Sequence, residues 1–291
     1  MNNKNPGNIS IVIPAKNEAP SLRNLLPALQ KLLPEAEIIV VNDGSKDDTE
    51  MVCREYAVRT INSPYSKGNG ASIKTGANAA SGETIIFMDA DGQHQASDIN
   101  TLMDMYNQGY HMIVGARDFK GQTSTLRWLA NTIYNWLSSW VVNHKILDLT
   151  SGFRIVNRKK FLEFLHLLPN GFSYPTTITM SFFRAGYSIG YVPITTGSRV
   201  KGSSSHINLF RDGARFFIII FKVGIFYSPL KIFLPISLIH FFAGIGLYAY
   251  TYLQFGRFTN MSVLLFTTSI LIFLIGLISE QITTLIYRPN K

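Results

Sequence analysis

Two stretches near the end of the chain restrict its fold more than anything before them. Ile232–Tyr252 is almost wholly apolar with one histidine, His240, and Ser262–Ser279 carries no charge. At ~1.5 Å of rise per residue, runs of about 18 to 21 residues cover the ~30 Å hydrocarbon core of a bilayer. The connector "QFGRFTN" (Gln254–Asn260) is a short polar turn with a glycine. This pattern predicts a two-helix transmembrane hairpin over 229–291, with spans at about 232–253 and 262–286. Tyr248, Tyr250, Tyr252 and Tyr287 fall near the span ends, where interfacial aromatics collect. The connector has one Arg, whereas "YRPNK" and the residues before the first span are basic. The positive-inside rule then puts both termini and the preceding domain in the cytoplasm.

Upstream, Ile9 to about Ser205 alternates short apolar runs (Ile9–Ile13, Ile38–Val41, Thr84–Met88, Met112–Val114) with helix-length segments (Ala19–Leu33, Thr49–Ala57, Gly70–Ala80, Ile99–Gln108). Continuous apolar runs suit strands buried on both faces, and strand–helix–strand order implies a mostly parallel sheet covered by helices, an α/β fold. The first domain is expected over 1–206. Residues 207–228 form the bridge. Arg211, Arg215, Lys222 and, just beyond, Lys231 punctuate this apolar stretch, which predicts amphipathic helix in the headgroup plane; a partial third span is the alternative.

A balance of 27 basic to 18 acidic residues points to an anionic partner, and only 15% of residues are charged, which favours a membrane surface over nucleic acid. The single cysteine, Cys53, excludes an intrachain disulfide and a cysteine metal cluster, and is expected to pack as a small apolar residue. "MNNKNPGN" has no apolar signal core, so the first domain is expected to stay on the side where it is made.

Ligands of parallel sheets bind at the carboxyl ends of the strands. In "IIFMDADGQHQ" (Ile85–Gln95), Asp89 and Asp91 close an apolar run, and strand alternation would turn both to one side across Ala90. Two hard oxygens there suit Mg²⁺ or Mn²⁺, whose shell substrate phosphates complete; a polar turn is the bland alternative. "VVNDGSKDDT" ends a second strand with Asp43, and Asp47 or Asp48 would cap the helix that follows. "IPAKNEA" leaves Pro14, Lys16, Asn17 and Glu18 on the same rim. Gly68-Asn69-Gly70 lacks the third glycine of a dinucleotide fingerprint, and no G-x-x-x-x-G-K-[ST] occurs. Trp128, Trp136 and Trp140 lie at helical spacing in Leu126–Val142, as core or as the wall of a lipid path. His94 reads as a hydrogen-bonding neighbour of the carboxylates, and His240 as a polar residue facing the partner helix.

The ordered set "IPAKNEA", "VNDGSKDDT", "KGNGASIKTG", "MDADGQH", "GAR", "LTSGFR", "AGYSIGYVPI" and "RVKGSSS" resembles glycosyltransferase family 2, and within it the polyprenyl-phosphate sugar synthases of the dolichyl-phosphate mannose synthase type. The resemblance covers Ile9 to about His206. It implies a GT-A nucleotide-sugar-binding domain, and inverting transfer of a hexose to a membrane polyprenyl phosphate. It further implies a nucleoside site at Pro14, Glu18 and Asp43 with Lys16, Asn17, Lys67, Gly70, Asp89, Ala90 and Ser203 around the donor. The metal, Mg²⁺ or Mn²⁺, would sit on Asp89, Asp91 and Gln93. Catalysis would rest on Asp91, Arg117, Arg127 and Arg199, the arginines holding acceptor phosphate and donor pyrophosphate. The setting would be a bacterial or archaeal plasma membrane, with self-association left open.

Departures matter as well. Lys16 replaces the usual aromatic, Thr132 stands where a second Arg is common, and "SYPTTITM" lacks a frequent carboxylate, which leans the donor toward a UDP-hexose or UDP-N-acetylhexosamine over GDP-mannose. A polyprenyl phosphate needs no general base, because a monoester with a second pKa of about 6 is largely a dianion at neutral pH. Two competitors stand beside this reading. A polysaccharide synthase extending glycan hydroxyls would carry Q-x-x-R-W, but Gln122 and Arg127-Trp128 are wrongly spaced for it. A catalytically dead membrane tether would not be expected to keep Asp-x-Asp and the arginines.

Overall fold

The computed structural model describes residues 9–117, 125–171, 174–195, 224–225 and 227–286, with the backbone alone over 125–131. Contacts divide the chain into two units, one within residues 1–136 and 145–212, the other within 137–144 and 213–291.

The first unit is built on a seven-stranded sheet of order β3-β2-β1-β4-β6-β5-β7. Its strands are β1 (Ile9–Ala15), β2 (Glu37–Asn42), β3 (Arg59–Asn62), β4 (Thr84–Phe87), β5 (Met112–Arg117), β6 (Arg154–Asn157) and β7 (Ile189–Ile194). Only β6 runs against its neighbours, pairing antiparallel with both β4 and β5. The four strands expected from apolar runs are all present. The other three announce themselves less: β3 is a partly exposed edge, and β7 alternates buried with less buried positions.

The helices are α1 (Ala19–Leu32), α2 (Thr49–Glu55), α3 (Asn69–Ala79), α4 (Asp98–Tyr106), α5 (Thr125–Val142), α6 (Arg158–Glu163) and α7 (Tyr174–Arg184). Helix α1 buries Leu22, Leu25, Leu26 and Leu29, a one-sided stripe at helical spacing. Pro27 lies on its exposed face and cannot donate to the Arg23 carbonyl one turn back; the Tyr56 hydroxyl donates there instead, at 3.3 Å. Cys53 is fully buried and unpaired by disulfide, as its sequence setting suggests.

The second unit contains the hairpin of α8 (Pro229–Phe255) and α9 (Asn260–Ile286), both long and apolar enough to cross a membrane. Gly256 closes α8 in the left-handed conformation, φ 61°, and donates its N–H to Tyr252. Apart from Pro229 at the start of α8, the buried positions are small and recur every seventh residue: Ser237, Gly244 and Thr251 on α8 against Ser262, Ser269, Gly276 and Thr283 on α9. Lipid offers no hydrophobic drive between helices, so close backbone approach and polar contacts hold such pairs. Ser237 Oγ donates to the Ser269 carbonyl and Ser269 Oγ to the Ser237 carbonyl, each at 2.9 Å. His240, expected to face the partner helix, is half-buried, and its Nδ1 pairs with the Ile236 carbonyl one turn back on its own helix, at 2.8 Å.

At the base of the hairpin, Lys231 Nζ donates to the Trp140 and Val141 carbonyls (3.2 and 2.9 Å) and to Asn143 Oδ1 (2.8 Å). A cation thus satisfies carbonyls that the end of α5 leaves open and complements its dipole. Glu280 accepts the Leu230 N–H in the first turn of α8. The amphipathic segment expected over 207–228 lies almost wholly outside the described residues, as does Tyr287.

Candidate active site

The carboxyl ends of β1, β2, β4 and β5 form one rim, and the expected residues gather there. Pro14 sits in β1 with Lys16–Glu18 after it, Asp43 follows β2, Asp89–Gln93 follow β4, and Arg117 ends β5. Arg127 lies on α5, where only the backbone is described; Arg199 and Ser203 lie outside the described residues.

The loops after β1 and β2 are tied together. Asn17, at φ 57°, donates its N–H to Ser45 Oγ and accepts the Lys46 N–H on its side chain. Asp47 accepts the Ala19 N–H with one oxygen and the Thr49 N–H and hydroxyl with the other, so a single carboxylate serves the first turns of α1 and α2. Asp48 precedes α2 without a side-chain cap.

Asp43 is buried and grips the next loop, accepting the Ser66 hydroxyl (2.7 Å), the Lys67 N–H (2.6 Å) and the Gly68 N–H (3.0 Å). Burial pushes its carboxyl up, but these donors and the nearby Lys16 outweigh it and hold the pKa below the ordinary value. Lys16 Nζ reaches Ser66 Oγ at 3.1 Å. The start of α3 is closed off as well. Gly70 and Ala71 donate their N–H groups to the Gly171 and Asn170 carbonyls. A Cβ on Gly70 would stand 2.1 Å from the Pro169 oxygen. Gly68-Asn69-Gly70 therefore admits a crossing loop of the same chain.

Strand β4 stops at Phe87, so strand alternation is not what aligns the two aspartates. Asp89 lies past the end of the strand, Ala90-Asp91 turn, and Gly92 takes φ 73°. The turn closes with the Gln93 N–H on Asp91 Oδ1 at 3.1 Å, because an aspartate bonds its own backbone two residues on. The Asp89 side chain is about one third exposed. Behind it stands Gly152, where a Cβ would lie 2.6 Å from Asp89 Oδ2 and 2.9 Å from Oδ1. His94 is buried, with Nε2 3.9 Å from Asp89 Oδ2, its ring stacked on Phe153 at 4.9 Å, and Nδ1 without a partner.

Arg154 fixes this wall from within. Fully buried, it donates from Nε and Nη2 to the Ser151 carbonyl and from Nη1 to the Pro175 carbonyl and Thr179 Oγ1. Burial lowers its pKa, against the nearby Asp148 and Asp89 carboxylates.

Arg117 makes a two-pronged ion pair with buried Asp148, Nε–Oδ2 at 2.8 Å and Nη2–Oδ1 at 3.1 Å. The charges of Asp89 and Asp91 also act on Arg117, which brings the acidic pair and the arginine into one electrostatic neighbourhood. Asp148, Gly152 and Arg154 are the residues that sequence reasoning missed. All three sit in or beside "LTSGFR", a stretch with no paired charges or ligand spacing to mark it.

The described residues include no cluster of three or more His, Cys, Asp or Glu arranged to hold a metal. The donor set present, two carboxylates with the Gln93 amide beside them, fits a hard cation that substrate phosphates complete. The seat that Gly152 leaves for Asp89 is consistent with a carboxylate held ready.

Residues 10–165 match Glycosyl transferase family 2, and residues 228–285 match the GtrB C-terminal hairpin. Glycosyltransferase AglJ of Haloferax volcanii is 24% identical over 96% of this chain and 95% of its own. Putative glycosyltransferase CsbB of Bacillus subtilis is 27% identical over 98% of this chain and 89% of its own. Polyprenol monophosphomannose synthase of Mycolicibacterium smegmatis is 27% identical over 67% and 79%. Among solved structures, glucosyl-3-phosphoglycerate synthase from Mycobacterium tuberculosis, with Mn²⁺, UDP-glucose and phosphoglyceric acid, superposes with a TM-score of 0.60 at 20% identity, covering 74% of this chain and 79% of that one; the likeness is one of fold. The sheet, the acidic rim and the apolar hairpin thus come together in one assignment: the chain belongs to glycosyl transferase family 2.

Proposed function

We propose that the protein transfers a hexose, with inversion, from a nucleotide sugar to a membrane polyprenyl phosphate in a metal-dependent reaction. The observation that carries this is the placement of Asp89 and Asp91 after β4 and of Arg117 at the end of β5, on one strand-end rim. Acidic and basic groups there serve opposite ends of the transfer. Asp89, Asp91 and Gln93 would hold Mg²⁺ or Mn²⁺, which when bound neutralises charge on the leaving diphosphate. Pro14, Lys16, Asn17, Glu18 and Asp43 surround the nucleoside, and Lys67, Gly70, Ala90 and Ser203 flank the donor. Arg117, with Arg127, orients the acceptor phosphate so that one oxygen faces the anomeric carbon, and Arg199 holds the donor pyrophosphate. No base is required of the protein, since the acceptor is already anionic.

The relatives support a polyprenyl acceptor, as one of them is named a polyprenol monophosphomannose synthase. The neighbour crystallised with UDP-glucose and Mn²⁺ shares the fold, which supports a nucleotide-sugar donor without choosing its base. The exposed rings on α5 support a lipid-facing surface. Trp136 and Trp140 are 66% and 42% exposed, which removes them from the core. Lys231 fixes the Trp140 carbonyl at the first turn of α8, the level at which interfacial tryptophans sit. The catalytic domain and both termini face the cytoplasm in this reading, following the basic flanks of the hairpin.

The test is Asp91→Asn, assayed with undecaprenyl phosphate and a panel of nucleotide sugars, with lipid products read by mass spectrometry. Transfer is expected to vanish while membrane insertion persists. Full activity of that variant after EDTA treatment would overturn the metal role.

A further inference from the structure

Asp148 is 2% exposed and takes part in more bonds than any role in packing requires. Its Oδ2 accepts from the Arg117 backbone N–H (3.3 Å) and Nε (2.8 Å). Its Oδ1 accepts from Arg117 Nη2 (3.1 Å), the Thr150 N–H (2.9 Å) and hydroxyl (3.1 Å), and the Ser151 N–H (3.1 Å). Thr150 Oγ1 in turn accepts from Arg117 Nη2. Burial works against the Asp148 carboxylate, yet the Arg117 guanidinium and these donors keep its pKa below the ordinary value.

The segment carrying Asp148 is itself held by α5. Asn135 donates its side-chain N–H to the Leu147 carbonyl at 2.9 Å and accepts the Leu149 N–H at 3.3 Å, so one amide brackets the aspartate on both sides. Tyr134 beside it is buried and shares a hydrogen bond with Thr176 at 2.7 Å. The same helix carries Arg127.

We infer that Asp148 is the positioning residue of the acceptor-phosphate site: it locks the Arg117 fork in one orientation and, through Asn135, joins it to the helix that carries Arg127. The inference rests on the polyprenyl phosphate reading above. A guanidinium gripped through Nε and Nη2 cannot rotate about its stem, and Nη1 lies outside this set of bonds. A phosphate is then met by an arginine already oriented, so little rotamer entropy is lost on binding. Asp148 is a poor candidate for a general base, because every proton within its reach belongs to a group that it holds in place.

The experiment uses the full-length protein in lipid nanodiscs with undecaprenyl phosphate as acceptor and UDP-glucose, or whichever nucleotide sugar the wild type turns over, as donor. Asp148→Asn should raise KM for the acceptor by roughly 10-fold or more while leaving KM for the donor within about 2-fold. Thr150→Val, a milder change at the same fork, should raise acceptor KM by about 3-fold. The double variant Arg117→Gln/Asp148→Asn should be no worse than Arg117→Gln alone, since Asp148 acts through that side chain. UDP binding in the presence of Mn²⁺, by calorimetry, should be unchanged in both single variants at Asp148 and Thr150.

A merely structural role would lower donor and acceptor binding together and overturn the inference. Loss confined to kcat, on the order of 10²-fold or more with acceptor KM intact, would mark a general base and overturn it too. Should Asp148→Asn fail to fold, an unchanged acceptor KM in Thr150→Val overturns the inference by itself. A wild type that transfers no sugar to undecaprenyl phosphate would overturn the parent reading and this one together.

Discussion

Replacing Gly152 with alanine tests whether the Asp89 carboxylate must sit where the structure puts it. The new methyl carbon would lie 2.6 Å from Oδ2, 2.9 Å from Oδ1 and 3.1 Å from Cγ of Asp89. To restore an ordinary separation of at least ~3.4 Å the carboxylate must retreat by roughly 0.8 Å. Gly152 is not free to yield instead. Its carbonyl accepts from the buried Tyr174 hydroxyl, and Arg154 pins the preceding Ser151 carbonyl. Displacement of about 1 Å at a reacting centre costs on the order of 10²-fold in rate. Overpacking of one methyl costs ~1–3 kcal/mol of stability. Gly152→Ala should therefore lose between about 10- and 100-fold in turnover and need more Mn²⁺ for half-maximal activity, while its unfolding midpoint falls by only a few degrees. Sugar transfer measured across a Mn²⁺ titration, beside a thermal melt, separates these effects. Wild-type turnover with an unchanged Mn²⁺ requirement would refute the argument that Gly152 exists to seat Asp89.

Three further outcomes are expected. Burial pushes the Glu37 carboxyl up, but hydrogen bonds from Ser10, Ser81 and Arg59 outweigh it and hold its pKa at about 2 against an ordinary 4.5. A depressed pKa stabilises the fold above the unfolded value and is lost as pH falls through the folded one. Glu37→Gln should thus be less stable than wild type by ~2 kcal/mol at pH 7, with the gap closing between about pH 4.5 and 2 in denaturant melts. Lys231→Ala removes a cation from the end of α5, at about 1–2 kcal/mol, so amides near Trp140 should exchange with deuterium roughly tenfold faster. In the hairpin, Gly276→Leu forces atoms onto a site 2.7 Å from Phe233 Cβ, whereas Ser269→Ala removes a hydrogen bond of ~0.6 kcal/mol. Detergent-titrated unfolding should rank the glycine variant well below the serine one, and the reverse order would refute close packing at the seam.

The parts of the fold that were legible in the sequence are those where one period dominates. Strands β1, β2, β4 and β5 read as unbroken apolar runs because both faces are buried, and α8 and α9 because lipid leaves no polar face. Strand β6 escaped notice since its first residue is a buried arginine, Arg154, which no pattern of hydrophobicity assigns to a core. Its burial is explained only by the Ser151, Pro175 and Thr179 acceptors that tertiary structure supplies. At the site, charges at strand ends disclosed Asp43, Asp89 and Asp91, and the family resemblance supplied Arg117. What remained hidden was their support: Asp148 lies 31 residues beyond Arg117, and Gly152 matters for the side chain it lacks. The Asp-x-Asp was legible, but for a reason that did not hold. The turn through Gly92, not strand alternation, shapes it.

The cross-ties among Asn17, Ser45, Asp47 and Thr49, together with the grip of Asp43 on Ser66–Gly68, bear on how a donor would be met in the function proposed above. Each would otherwise be a loose strand-end loop that a nucleotide had to organise. Held by one another, they have already surrendered their conformational freedom during folding, so binding sets aside little entropy for ordering them. A rim of this kind discriminates by shape rather than by accommodation, and a nucleotide that demands its movement forfeits affinity. Exchange of one nucleotide base for another should accordingly require changes at several of these ties together, since loosening a single one leaves the others to hold the old outline.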